Sequence, residues 1–186
     1  EGESAVVDEG PTGAAVVFVL AGTFFALTAL PGFHWHDTAE FGATARRLSL
    51  SHSPGHPLHG LTTPLFQHLP FADASHRTNL ASALCIAGAL AVFYRLLREL
   101  APKAPRWAAG AAALLPCAMP VIWLQAARAE VYGLQLLVCA WAALLLARYF
   151  RSGAPRELVL LALVFGLAGA NHSLIGLALI PATLVA

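Results

Sequence analysis

Five apolar stretches of this chain, residues 10–36, 78–94, 107–127, 131–147 and 158–186, contain no Asp, Glu, Lys or Arg. A hydrocarbon core takes about 20 apolar residues as helix, so most of these runs are long enough to span one. Composition agrees: 58% of residues are hydrophobic and 11% charged, whereas a soluble domain carries roughly a quarter charged residues to keep its surface wet. The chain therefore reads as an all-α membrane protein, a multi-span helical bundle.

The same numbers exclude other classes. Net charge is +1 with no basic stripe, so nucleic acid is not an expected partner. The apolar content excludes disorder. Cys85, Cys117 and Cys139 lie inside apolar runs without CxxC spacing and read as buried small hydrophobes. The first apolar run follows an acidic stretch (Glu1, Glu3, Asp8, Glu9) where a secretory signal would be basic, so it is expected to stay as a span. The chain starts without Met and stops inside an apolar run, which suggests a piece of a longer protein.

Spans are expected at about 14–30, 79–97, 107–124, 131–150, 158–170 and 174–186, with a tail over 1–13 and a long loop over 33–78. The break between the last two spans falls at Asn171-His172-Ser173, because unpaired polar side chains are costly at mid-membrane and cheap at a turn. Seven basic residues (Arg95, Arg98, Lys103, Arg106, Arg148, Arg151, Arg156) then share one face, against four spread along the other. The positive-inside rule makes the N-terminus cytoplasmic and the loop over 33–78 outer. That topology also places the turns at 126–130 and 171–172 on the outer face. Seven of the eight histidines lie in the outer loop and its border and the eighth is His172, so polar groups from three connections converge, as a membrane-surface site requires.

The outer loop alternates leucine and phenylalanine with Pro54-Gly55, Pro57, Pro64 and Pro70, which predicts two interfacial helices, about 38–50 and 58–68, able to roof a cavity. Asp37 with Glu40 three residues on has capping-box spacing. The same pair suits chemistry: one carboxylate accepts a proton from an attacking hydroxyl while the other orients it or binds a cation. His52, His56 and His59 have the i, i+4, i+7 spacing of one helix face, but Pro54-Gly55 and Pro57 argue against a helix there. No metal site is assigned, and a divalent cation is the one cofactor left open. A histidine in this turn suits donation to a substrate oxygen. Arg128 pairs with Glu130 at a helix start, or holds a phosphate bidentately. Trp107, Trp123, Trp141 and Tyr132 read as interface anchors or packing.

Taken in order, Trp35-x-Asp37-x-x-Glu40-Phe41, His52-x-Pro54-Gly55-x-Pro57-Leu58, Arg77-x-Asn79-Leu80-x-Ser82-Ala83-Leu84, Ala129-Glu130-Val131-Tyr132 and Asn171-His172 resemble a multi-pass family long listed as a domain of unknown function. That family is related to the protein O-mannosyltransferases and has the membrane glycosyltransferase architecture called GT-C. The resemblance covers about residues 14–186, as the N-terminal part of a GT-C-like module. It implies transfer of a sugar from a polyprenyl-phosphate carrier to an acceptor hydroxyl, a protein Ser or Thr among the candidates, on the extracytoplasmic face of a bacterial inner membrane. Partners would be the lipid-linked sugar donor, a protein or glycan acceptor, and membrane lipid. Asp37 matches the family's essential acid and Glu40 its companion, while His56, Arg128, Glu130, Asn171 and His172 would line the phosphate and sugar pocket. One acid on one face is the logic of single displacement, which inverts the anomeric centre.

Two other classes compete. A non-catalytic transporter or scaffold would use polar groups in broken spans, and Pro116 and Pro120 lie within the third span. A His-rich metal- or haem-binding membrane domain rests on histidine clustering alone. Charges at the outer boundary rather than mid-span favour a surface site.

Overall fold

The computed structural model describes residues 12–35, 37–53 and 55–176. The tail expected over 1–13 and the sixth span expected over 174–186 fall almost wholly outside the described residues, as do His36 and Pro54. Among the described residues every regular element is a helix: α1 (Thr12–Thr28), α2 (Thr38–Arg47), α3 (Pro57–Thr62), α4 (Ala74–Leu100), α5 (Arg106–Leu114), α6 (Pro120–Ala127), α7 (Val131–Ser152) and α8 (Pro155–Asn171). Tighter 3-10 turns extend α3 over Thr63–His68 and α5 over Leu115–Ala118.

Two of these helices, α4 and α7, are long and apolar enough to cross a membrane. The run expected as the third span, 107–124, is two helices meeting at a 73° bend between Ala118 and Pro120. Proline is the cause: Pro116 and Pro120 lack the N–H that an unbroken helix needs, and each ring clashes with the preceding turn. Counted as one broken span, this pair makes three. With 17 residues each, α1 and α8 fall short of the ~20 of a straight crossing.

α4 is the centre of the bundle, packed against α1, α2, α5, α6 and α7, with α8 on the far side of α7. Val17, Ala21 and Phe25 of α1 meet Ala83, Ile86, Ala87 and Leu90 of α4 in the largest buried cluster. α7 comes close to α4 because Gly133 has no side chain; a Cβ there would lie 3.0 Å from the Ser82 carbonyl oxygen. The two ends of the bundle differ. At one end Glu99 of α4 pairs with Arg148 (3.1 Å) and Arg151 of α7, and Arg98 donates to the Ala104 carbonyl. At the other, Asn79 of α4 donates to the carbonyls of Leu30 (2.8 Å) and Gly32 (3.0 Å) and accepts the Ala129 N–H at 2.8 Å. One buried amide thus ties the end of α1 and the α6–α7 connection to the start of α4.

The expected interfacial helices form as α2 and as α3 with its 3-10 extension. α2 stops at Arg47 because Leu48 turns left-handed (φ 53°) and closes it. Phe33, Trp35, Leu48, Leu50, Leu61, Leu65 and Phe71 stay exposed around this segment, the apolar rim that an interfacial element presents to lipid.

Candidate active site

Three connections meet at the Asn79 end of the bundle, as the span count predicts. They enclose a cavity of about 180 Å³ lined by Asp37, Phe41, His52, His56, Glu130, Val131, Tyr132, His172, Ser173 and Leu174. The loop around α2 supplies the first four, the start of α7 the next three, and the turn after α8 the rest.

Asp37 sits at the start of α2 with its backbone already helical (φ −82°, ψ −1°), and its side chain caps nothing. The capping box expected from the spacing of Asp37 and Glu40 is therefore not formed, since a capping carboxylate needs an extended backbone to reach back over the first N–H groups. Glu40 turns instead to His52. Its Oε1 accepts the His52 backbone N–H and its Oε2 lies 2.9 Å from Nδ1. His52 Nε2 lies 4.0 Å from Asp37 Oδ2. The hydrogen bond with His52 holds the Glu40 carboxyl below its usual range and, reciprocally, raises the His52 imidazole above its own.

Asp37, Glu40 and His52 hold donor atoms within 4.8 Å of one another. Glu40 already commits both oxygens, and His52 one ring nitrogen, to their mutual bond.

His56 is buried, and its Nδ1 lies 2.7 Å from the carbonyl oxygen of Asn171. A carbonyl only accepts, so Nδ1 carries the hydrogen and Nε2 is left to the other side of the ring. The Asn171 side chain points the other way, donating to the Val131 carbonyl (3.0 Å) and Gln135 Oε1 (2.9 Å). It supports the wall rather than lining it. The His172 ring lies between His56 and Tyr132, with centroids at 5.7 and 5.9 Å. Glu130 is 4% exposed and is fixed through its backbone, which exchanges hydrogen bonds with the Ser82 hydroxyl. Arg128 reaches Glu130 Oε1 at 3.5 Å, forming the expected pair, but is not among the cavity-lining residues.

Of the residues singled out from sequence, Asp37, His56, Glu130 and His172 face one cavity; Glu40, Arg128 and Asn171 stand directly behind that wall. Sequence reasoning missed His52 and Tyr132. For Tyr132 the signal is its place after Glu130 in the Ala129-Glu130-Val131-Tyr132 motif, where an aromatic ring equally suits an interface anchor or packing. As Pro54-Gly55 and Pro57 predict, no single helix face carries His52, His56 and His59. Gly55 turns left-handed (φ 77°), and the rings of His52 and His56 meet at 5.6 Å across a turn rather than along a helix.

A family model described as the protein O-mannosyl-transferase TMEM260 N-terminal domain matches residues 37–186. The match begins at Asp37 and includes every cavity residue, while α1, inside the resemblance read over 14–186, precedes it. No curated protein and no solved structure matches the chain. With an all-helical bundle, two or three helices able to cross a membrane and a match over most of its length, the chain belongs to the protein O-mannosyl-transferase TMEM260 N-terminal domain family.

Proposed function

We propose that the cavity transfers a sugar from a polyprenyl-phosphate carrier to an acceptor hydroxyl on a protein, at the extracytoplasmic membrane surface, with Asp37 as general base. The observation that carries this reading is the meeting of Asp37, His56, Glu130 and His172, from three separate connections, in one cavity.

A phosphate-linked sugar already has a good leaving group. The protein must then deprotonate the acceptor and stabilise the departing phosphate. Asp37 is half exposed (50%) and free of any capping bond, so its carboxylate can accept the hydroxyl proton. Glu40 is its companion acid, already paired with His52. His56 and His172 offer ring nitrogens to phosphate and sugar oxygens, Glu130 and Asn171 shape the wall, and Arg128 places a fixed positive charge behind Glu130. Attack from the Asp37 side opposite the phosphate is a single displacement and inverts the anomeric centre.

A transporter reading would draw on the bend between α5 and α6. No charged residue lies from Trp107 to Ala127, however, whereas transport sites in broken helices gather polar groups and helix ends around the substrate.

The test is transfer by the full-length protein in membranes from a panel of polyprenyl-phosphate sugars, mannose among them, to Ser/Thr peptides. At least one donor is expected to give product, and product lost in Asp37→Asn ties the chemistry to this cavity. Absence of transfer with every donor would contradict the proposal.

A further inference from the structure

Glu40 and His52 are joined more closely than a surface ion pair needs. Both carboxylate oxygens serve one residue, Oε1 its backbone N–H and Oε2 its Nδ1. A carboxylate only accepts, so in the neutral imidazole the hydrogen sits on Nδ1 and Nε2 carries the lone pair. That nitrogen is the one 4.0 Å from Asp37 Oδ2, and Asp37 and His52 line the same cavity. Acid, imidazole and acid stand in a row whose last member lines the cavity. In such a row the outer carboxylate fixes the tautomer and stabilises the imidazolium when it forms.

Building on the sugar-transfer reading, we propose that His52 is the outlet for the proton that Asp37 takes from the acceptor, and that Glu40 is a positioning residue acting through His52. The acceptor oxygen bonds to the anomeric carbon as the bond from that carbon to the carrier phosphate breaks, and the electron pair leaves with the phosphate. The hydroxyl proton passes to Asp37 and, once the two side chains close the present 4.0 Å gap to hydrogen-bond distance, to His52 Nε2. The imidazolium is held by Glu40 until its proton reaches water, to which the 43% exposed side chain is open.

The groups facing His52 are Glu40 on α2, Asp37 just before it, His56 in the turn before α3, and Glu130 before α7. Chief among them, the Glu40 hydrogen bond raises the imidazole above its ordinary value. Since only the neutral ring can receive a proton, the rate falls on the acid side as His52 becomes charged.

The experiment is mannose transfer from polyprenyl-phosphate mannose to a Ser/Thr peptide by the full-length protein in membranes, as a function of pH. Wild type is compared with Asp37→Asn, His52→Gln and Glu40→Gln. Loss of His52 is expected to lower kcat about 100-fold, the low end for a proton-transfer group, with KM unchanged and the His52 acid limb gone. Glu40→Gln has one acceptor oxygen where the carboxylate uses two, so the tautomer is no longer fixed and kcat falls as well, and its acid limb moves to lower pH; a merely structural Glu40 would leave that limb in place. If Asp37→Asn is dead while His52→Gln and Glu40→Gln show wild-type kcat and an unmoved acid limb, the outlet is wrong and the transferase reading stands. A wild type inactive with every donor of the panel, or an active Asp37→Asn, removes both.

Discussion

His59 shows how the site end handles titratable groups. It is 3% exposed, packs 4.7 Å from the Phe41 ring, and its Nε2 is buried without a hydrogen-bond partner. Burial disfavours the charged ring and lowers its pKa from 6.5 to about 4. The sign follows from proton uptake: above about pH 6.5 both folded and unfolded chains hold it neutral and nothing is lost. Below that the unfolded chain takes a proton the folded one refuses, so stability declines as pH falls, by on the order of 3 kcal/mol at pH ~4. Thermal unfolding of the purified protein at pH 7, 5.5 and 4.5 is expected to show this decline, and His59→Gln to reduce it; equal slopes would argue against a neutral buried His59. His52, seven residues earlier, is shifted the opposite way by Glu40. Two histidines of one loop are thus driven apart by environment alone, and that difference was not legible in the sequence, where His52, His56 and His59 look equivalent. The pairing of Glu40 with His52 depends on the left-handed turn at Leu48 that brings the chain back over α2.

At the scale of elements, spacing and composition made the helices legible, and proline made their breaks legible only in part. α1 ends at Thr28, shortly before Pro31-Gly32, and Gly153, with φ 64°, closes α7 as a left-handed cap. Pro116 and Pro120 were visible in the run from Trp107 to Ala127, yet the size of the bend they produce was not, because a kink angle depends on what packs against it. The sequence also could not show what holds the connections together. That role falls to Asn79, buried and bonded to Leu30, Gly32 and Ala129. Asn79→Ala leaves the Gly32 carbonyl and the Ala129 N–H without their partner, while the Leu30 carbonyl keeps His76 Nδ1 at 2.8 Å, and is expected to cost about 2 kcal/mol. A clear drop in the unfolding midpoint checks this, together with weaker transfer, since Glu130 and Tyr132 follow directly from the anchored connection. An unchanged midpoint would mean that helix packing alone fixes this end.

For the whole molecule, the convergence of three connections on one end was legible simply by counting spans, because each crossing reverses the chain. The opposite end carries Glu99 paired with Arg148 and Arg151, and the orientation we propose, from the positive-inside rule, puts that end in the cytoplasm. In intact cells Ser53→Cys, beside the cavity, is expected to react with a membrane-impermeant maleimide from outside, and Ser152→Cys, at the basic end, only after permeabilisation. The reverse pattern would turn the molecule over and put the cavity in the cytoplasm. What remains central is the chemistry assigned to that cavity. The most direct measurement is a single-turnover comparison of wild type and Asp37→Asn loaded with polyprenyl-phosphate mannose, with donor binding determined on the same membranes. The account predicts equal donor binding and a transfer rate lower by about 10²–10⁴-fold in the variant, the range for loss of a general base; transfer at the wild-type rate would contradict it.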